Sequence, residues 1–384
     1  MNQDTSFLAK TFYGFEPLLE KELRKLGAKN IKSINRAVSF EGDLGFLYKA
    51  NLSLRTALRI LMPIGHYPVK NQTDLYRAID RIDWSKWFSA EQSFIIDVTL
   101  FSDHFNHSLF VAQKAKDAIV DQFSKREGKR PSVTTENPDI RIQLHLQGDQ
   151  LTISLDSSGN SLHQRGYRIE TNIAPINEVL AAGMLLHSGW EGKTYFYDPM
   201  CGSGTLAIEA AMIVCNIPPS LNRTTFSFMN WKNFDAELFE LIRNSCLSKV
   251  REFRGHIYAS DKAPSAVRKA QENIENAGLE EYISVVRSDF FFADRPSEVP
   301  LHIVFNPPYG ERLPIDADVF YGKIGDTLKK EYQGCEAWFI TANIEALKSV
   351  GLRPSRKIKM FNGKLESRLV NYELYEGSRK ASKS

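Results

Sequence analysis

At 384 residues the chain exceeds what one hydrophobic core ordinarily organises, so two or three domains are expected. A content of 42% hydrophobic and 25% charged residues excludes wholesale disorder and low-complexity scaffolds, and a formal net charge of +3 is too small to declare a polyanionic partner. No apolar run reaches the ~18–20 residues of a bilayer span, the opening MNQDTSFLAK lacks the regions of a signal peptide, and Cys201, Cys215, Cys246 and Cys335 form no C-x-x-C pair. A cytoplasmic protein with no membrane partner, disulfide framework or zinc knuckle is predicted.

The first elements in chain order are a strand near Phe7–Phe12 and a helix carrying Phe15, Leu18, Leu19, Leu23 and Leu26 at helical spacing up to Gly27. Strands over Ile31–Ile34 and Val38–Phe40, a helix over Leu44–Leu52 and a strand over Ala57–Ile64 follow. This β-α-β-β-α-β order predicts a ferredoxin-like α+β unit over residues 1–65. Residues 66–165 read as a second unit: a helix at about Asp74–Phe88, a strand Phe94–Phe101, a long helix Ser108–Ser124, and strands Ile140–Gln147 and Leu151–Leu155 joined by a Gly148-Asp149 turn. Lys125, Arg126, Lys129 and Arg130 gather where the long helix ends. They form either a basic loop that approaches phosphates or cations held by the helix dipole.

From about residue 166 to 384 short apolar strands alternate with helices: Tyr195–Tyr197, His256–Ala259, Ile283–Val286, Ile303–Phe305 and Ala337–Ile340. This is the pattern of an α/β, Rossmann-like, doubly wound sheet, whose ligands sit at the carboxyl ends of the strands. Those ends read Asp198, Asp261, Asp289 and Asn306. Helix 264–277 opens on Pro264 and stops before Gly278. Residues 353–384 carry nine Lys/Arg against three Glu, either a phosphate-facing surface or a solvated edge hairpin with a tail.

The chemistry sits in two turns. Asp198-Pro-Met-Cys-Gly-Ser-Gly-Thr205 joins a strand to a helix and, through Gly202 and Gly204, lets backbone approach a ligand. The loop lacks the third glycine of G-x-G-x-x-G, and Asp261 lies much further on than the ~20 residues of a nicotinamide site, which disfavours a dinucleotide. Asp261 suits vicinal ribose hydroxyls and Asp289 an exocyclic amine, since carboxylates only accept. In Asn306-Pro307-Pro308-Tyr309 two prolines fix the turn and remove two N–H donors. The Asn306 oxygen and the Pro307 carbonyl then accept from an aromatic amine and aim its lone pair at an electrophilic methyl, while Tyr309 stacks on the base. None of the eight histidines lies in a metal-ligand array such as H-E-x-x-H, so no metal is expected.

These residues resemble the class I S-adenosyl-L-methionine-dependent amino-methyltransferases, with motif I at Asp198–Thr205 and the [ND]-P-P-[YFW] motif at Asn306–Tyr309. The resemblance implies that Asp198, Pro199, Cys201, Gly202, Gly204 and Thr205 hold the methionine part of the cofactor, with Asn306 beside it. Asp261 would then hold the ribose, and Asp289 with Phe290 the adenine. The segment His163–Arg168, followed by Ala174-Pro-Ile-Asn-Glu178, is similar to the region that closes over the cofactor in this family. Arg165 and Arg168 then contact RNA phosphate, support that lid or form a salt bridge between domains.

His107-Ser108, Lys114, Asp117-Ala-Ile119 and Gly128-Lys-Arg-Pro131 resemble a THUMP domain, an RNA-binding module. Ferredoxin-like unit, THUMP domain and methylase in this order resemble the bacterial 23S ribosomal RNA guanine-N2 methyltransferases in their form without a second methylase domain. The implied activity is methyl transfer to the N2 amine of a guanosine, and the implied partner is 23S rRNA or a large-subunit precursor. Transfer RNA guanine-N2 methylation, DNA or protein-glutamine methylation, and a non-catalytic ribosome-assembly role remain the alternatives. The residues do not speak to oligomeric state.

Overall fold

The computed structural model describes residues 5–168, 175–308 and 316–375. They fall into two compact units, one of Met1–Thr11, Leu19–Leu162 and Arg223–Ser245, the other of Phe12–Leu18, His163–Asn222 and Cys246–Ser384.

In the first unit the elements β1 (Thr5–Lys10), α1 (Glu16–Leu26), β2 (Lys29–Ile34), β3 (Ala37–Gly42), α2 (Leu44–Ser53) and β4 (Arg59–Pro68) run in the predicted order, the first part of α1 belonging to the other unit. Asp43 starts α2 by accepting the Phe46 N–H at 2.7 Å. They are followed by α3 (Gln72–Asp80), β5 (Ser93–Phe101), α4 (Ser108–Glu127), β6 (Ser132–Val133), β7 (Ile140–Gln147) and β8 (Gln150–Asp156). The boundary drawn at residue 65 falls inside β4. That strand pairs with β1 at one end and with β8 from Leu61 to Pro68, shifting register between Pro63 and Gly65. The two predicted units therefore share one sheet, in the order β2-β3-β1-β4-β8-β7-β5-β6. They also share one core, from Phe7, Phe40 and Leu47 through Ile60 to Phe94, Ile119, Leu144 and Ile153. Helix α3 ends earlier than its periodicity suggests because Gln122 of α4 competes for its continuation. The Gln122 amide donates to the carbonyls of Asp80 and Ile82 and accepts the Trp84 N–H.

Arg223–Ser245, assigned by sequence to the methylase domain, belongs to this first unit. The reason is aromatic burial: Phe226, Phe228, Trp231 and Phe239 enter the same core, each burial worth about 1.5–3 kcal/mol. The Phe228 ring lies 4.7 Å from that of Tyr48, whose hydroxyl accepts the Asp235 N–H. Arg223 donates to the carbonyls of Ser158, Asn160 and Ser161.

The second unit contains α5 (Glu178–Ser188), β9 (Tyr195–Asp198), α6 (Thr205–Val214), β10 (Ile257–Asp261), α8 (Pro264–Ala277), β11 (Ile283–Arg287) and β12 (Leu301–Phe305). Helix α7 (Ala236–Leu247) precedes β10 and lies mostly in the first unit. After β12 come α9 (Ala317–Glu331), β13 (Glu336–Thr341), β14 (Arg356–Asn362) and β15 (Leu365–Glu373). The sheet order is β11-β10-β9-β12-β13-β15-β14. Its first five strands are parallel; β15 and β14 are added antiparallel, so the doubly wound sheet ends in the hairpin that the C-terminal charge pattern allowed. After β9 the chain builds outward through β10 and β11, then returns to place β12 on the other side of β9. This reversal is a topological switch point, where a crevice opens at the carboxyl ends of the strands. The residues at those two ends are Asp198 and Asn306.

Candidate active site

The turn from β9 into α6 is held by backbone and carboxylates rather than by a packed side-chain core. The Cys201 N–H donates to the Ser260 carbonyl at 2.9 Å. The Asp261 carboxylate accepts the Gly202 N–H at 3.0 Å with one oxygen and the Ala263 N–H at 2.9 Å with the other. Two of its roughly four acceptor positions are thereby used, leaving capacity for further donors. Asn273 of α8 pins the loop from behind by donating to the Ser203 carbonyl at 2.9 Å.

The two glycines answer different demands. Gly202 has φ +54° and nothing within 4 Å of where a Cβ would project, so it leaves the crevice open. Gly204 has φ +81°, and a Cβ there would stand 3.2 Å from the Cβ of Ala270 on α8. Gly204→Ala is expected to cost about 1–2 kcal/mol from the left-handed backbone alone, plus the strain against Ala270. Denaturant unfolding should show the larger loss at Gly204→Ala and the smaller at Gly202→Ala.

Arg168 binds this loop from the other side. Its guanidinium donates to Glu178 Oε1 at 3.0 Å, Ser203 Oγ at 3.0 Å and Thr205 Oγ1 at 2.8 Å. Arg165, by contrast, is fully buried and pairs with Glu209 of α6 at 3.0 Å, both side chains at 0% exposure. Of the roles left open from sequence, RNA contact, lid support and an ion pair between domains, the geometry gives both arginines an ion pair, made within the second unit. Charges buried this deeply survive only when paired, so Arg165 is a structural partner of α6 and Arg168 a brace of the glycine loop.

A cavity of about 560 Å³ lies over these strand ends, within the usual range for small-molecule sites. Asp198, Pro199, Cys201, Gly202, Thr205, Asp261, Asp289, Phe290 and Asn306 all line it, as do Pro307 and Pro308. Only Gly204 and Tyr309 of the predicted site are missing from this wall: Gly204 supports it from behind, and Tyr309 lies outside the described residues. Burial pushes the Asp198 carboxyl well above the ordinary carboxylate range. Burial, with Asp198 and Asp261 nearby, pushes the Cys201 thiol up likewise. Asp289 accepts the Phe291 N–H at 3.1 Å.

Phe290 is committed to the core, stacked on Tyr332 at 5.6 Å and tilted against Phe305. Its neighbour Phe291, edge-on to Phe320 at 5.5 Å, shares the lining, and neither Phe291 nor Phe320 was foreseen. The run Asp289-Phe-Phe-Phe292 was the available signal. Pro175 and Ile176 bring the segment before α5 to the same cavity. The decisive atom is Asn306 Oδ1, which is buried and has no hydrogen-bond partner among the described residues. A buried acceptor left unsatisfied costs about 1–3 kcal/mol, and a native fold tolerates it chiefly where a ligand will supply the donor.

The basic residues of the first unit gather at the end of α4. Lys125 and Arg126 occupy the last turn of α4; Arg126 pairs with Asp83 and Lys129 with Glu91. Lys125 and Arg130 are exposed beside them. Half of that cluster is thus neutralised locally. Among the described residues no group of three or more His, Cys, Asp or Glu side chains converges as a metal site would require.

Comparison with known proteins fits this arrangement. Residues 165–371 match the model of the RMKL-like methyltransferase domain. The chain belongs to the RMKL-like methyltransferase family. The regions preceding the RMKL-like domain match a THUMP domain over residues 69–156 and an RlmL ferredoxin-like domain over residues 6–61. A relative named ribosomal RNA large subunit methyltransferase K/L, from Syntrophotalea carbinolica, is 38% identical over 392 residues, covering 98% of this chain and 54% of its own length. The chain thus spans about half the length of the curated relatives it matches. Among solved structures, SMU.472 complexed with SAH superposes with a TM-score of 0.87 at 29% identity, covering 98% of this chain and 100% of that one. A protein of Listeria monocytogenes described as a predicted N6-adenine-specific DNA methylase gives 0.85 at 27% identity, covering 98% and 97%.

Proposed function

We propose that this RMKL-like protein transfers a methyl group from S-adenosylmethionine to the exocyclic N2 amine of a guanosine in large-subunit ribosomal RNA. The observation that carries the reading is the orphaned Asn306 Oδ1 at the switch point, facing the cavity that the glycine loop opens.

The residues present fit the cofactor. The cavity's size suits a nucleoside joined to an amino acid, Gly202 leaves its wall open, and Asp261 and Asp289 offer acceptors to ribose hydroxyls and to the adenine amine. When bound, S-adenosylmethionine supplies a methyl on a positively charged sulfur. Asn306 Oδ1 and the Pro307 carbonyl accept the two N–H bonds of the target amine and turn its lone pair towards that methyl. During transfer these two fixed oxygens would stabilise the positive charge that develops on the amine nitrogen. The proton leaves afterwards, so no strong base is required.

The polymer assignment rests on the THUMP match and on the name carried by the Syntrophotalea relative. Such a substrate goes with a cytoplasmic protein, and among the described residues no helix is long and apolar enough to cross a membrane. The Listeria neighbour's description favours a second reading, adenine N6, which presents the same kind of amine to the same two oxygens. The test is incubation with labelled S-adenosylmethionine and ribosomal RNA from a strain lacking the protein, followed by nucleoside mass spectrometry. N2-methylguanosine in large-subunit RNA is the expected product. N6-methyladenosine, or transfer to added transfer RNA with none to the ribosomal RNA, would overturn the assignment.

A further inference from the structure

The cations offered to RNA by sequence are largely engaged: Arg126 and Lys129 by acids of the first unit, Arg165 and Arg168 by Glu209 and Glu178 of the second. Lys125 and Arg130 stay exposed on the first unit, and the second unit carries a further run of cations on its C-terminal hairpin. Residues Arg353 to Tyr375 hold six Lys/Arg against two Glu, an excess larger than the +3 of the whole chain, so the remainder is slightly acidic. Of those two acids, Glu366 takes Lys359 at 2.7 Å and Arg368 at 2.9 Å, and Glu373 accepts the Tyr375 hydroxyl. Arg353, Arg356, Lys357 and Lys364 are exposed and make no ion pair among the described residues.

Charge alone is what an edge strand such as β14 needs to resist pairing with another chain. The aromatic arrangement beside it asks for more. Lys357, Lys359 and Phe361 alternate onto one face of β14, with Arg368 across from Lys359. The Lys359 ammonium lies 5.4 Å from the Phe361 ring centroid. Tyr13, 44% exposed, stands edge-on to Phe361 at 5.7 Å. A strand defended only against pairing has no use for an exposed phenol ring at its flank. A strip of cations with an aromatic platform at one end is how proteins track phosphates while stacking an unpaired base.

We propose that this hairpin, with Tyr13, binds a single-stranded segment of the RNA substrate: phosphates at Lys357 on that face and at Arg356 and Lys364, which flank the two ends of β14, and a base on Tyr13. The proposal rests on the reading above that the substrate is RNA. It places a grip for RNA on the unit that carries the cavity, separate from the THUMP region.

The test measures binding of fluorescein-labelled oligouridine to the full chain across a potassium chloride series. Replacing Arg356, Lys357 and Lys364 together by glutamine is expected to lower the salt slope by about 2 and to weaken binding roughly 10- to 100-fold near ~0.1 M salt. Tyr13→Ala is expected to weaken it by roughly fivefold or more, and Tyr13→Phe to retain binding. SAH affinity, read by calorimetry, should be unchanged in every variant. A triple variant with the wild-type slope and affinity would overturn this surface and leave the methyl-transfer reading standing. Wild-type protein that binds no RNA and methylates none overturns both. A wild-type dimer that the triple variant dissociates assigns the strip to a second copy of the chain and overturns the proposal.

Discussion

Asn306→Ala is expected to lower kcat for methyl transfer by roughly 10²- to 10³-fold, the scale of losing one preorganised hydrogen-bonding group at a centre of developing charge. SAH affinity should change little, because the loop from Asp198 to Thr205 is held through Asp261, Asn273 and Arg168 without any bond from Asn306. Stability supplies an independent reading. Oδ1 is buried and unsatisfied in the fold, so removing it relieves a penalty instead of breaking a bond. The variant should therefore unfold at the same denaturant concentration as the wild type, or slightly higher. Asn306→Asp keeps an acceptor in place and should retain more of the rate than alanine does. Stopped or single-turnover transfer assays, paired with unfolding curves, decide the matter. An alanine variant of undiminished kcat would remove Asn306 from the chemistry, and one that unfolds early would make it a structural residue.

Much of the second unit was legible because its signals are local. Helix α8 has the limits read from sequence, since Pro264 fixes its first turn and Gly278 takes the left-handed cap at φ +65°. The strand-end residues Asp198, Asp261, Asp289 and Asn306 meet around one cavity because a doubly wound sheet sends every parallel strand's carboxyl end to the same edge. What sequence does not display is non-local. Nothing in residues 57–68 announces that a single long strand will pair with β1 and, from Leu61 on and across a register shift, with β8, joining two expected units in one sheet. Phe226, Phe228, Trp231 and Phe239 read as the core of whichever domain surrounds them in sequence; only the tertiary fold returns them to the core of the first unit, Phe228 and Phe239 against Tyr48. The arginines stayed undecided for the complementary reason. A guanidinium in sequence fits phosphate or an ion pair equally, and the carboxylate that decides it, Glu209 for Arg165, lies far along the chain on helix α6. Phe290 and Phe291 could not be told apart, because adjacent positions in a turn show no periodicity that says which ring faces the core.

The buried pair makes the largest stability prediction. Glu209→Ala leaves the Arg165 charge without the carboxylate now 3.0 Å away in a site of 0% exposure, and should destabilise the protein by about 3–5 kcal/mol. Surroundings sharpen the expectation. Tyr167 is also fully buried, its hydroxyl without a partner among the described residues, and its ionisation is pushed well up by that burial and by Glu178 and Glu209. Replacing both partners, Arg165→Met with Glu209→Leu, removes two desolvated charges together and should recover most of the loss, since a matched apolar pair is often neutral or better. The two variants separate stability from positioning, because Glu209 sits on α6 directly behind Thr205 and the loop that Arg168 braces. Urea unfolding should show a lowered midpoint for Glu209→Ala and a midpoint near wild type for the double variant; equal midpoints for Glu209→Ala and wild type would mean the charge finds water. If the double variant regains stability and SAH affinity, the pair only holds α6 in the fold. If it regains stability while SAH binding stays weak, the ion pair also sets the register of α6 on which the glycine loop depends.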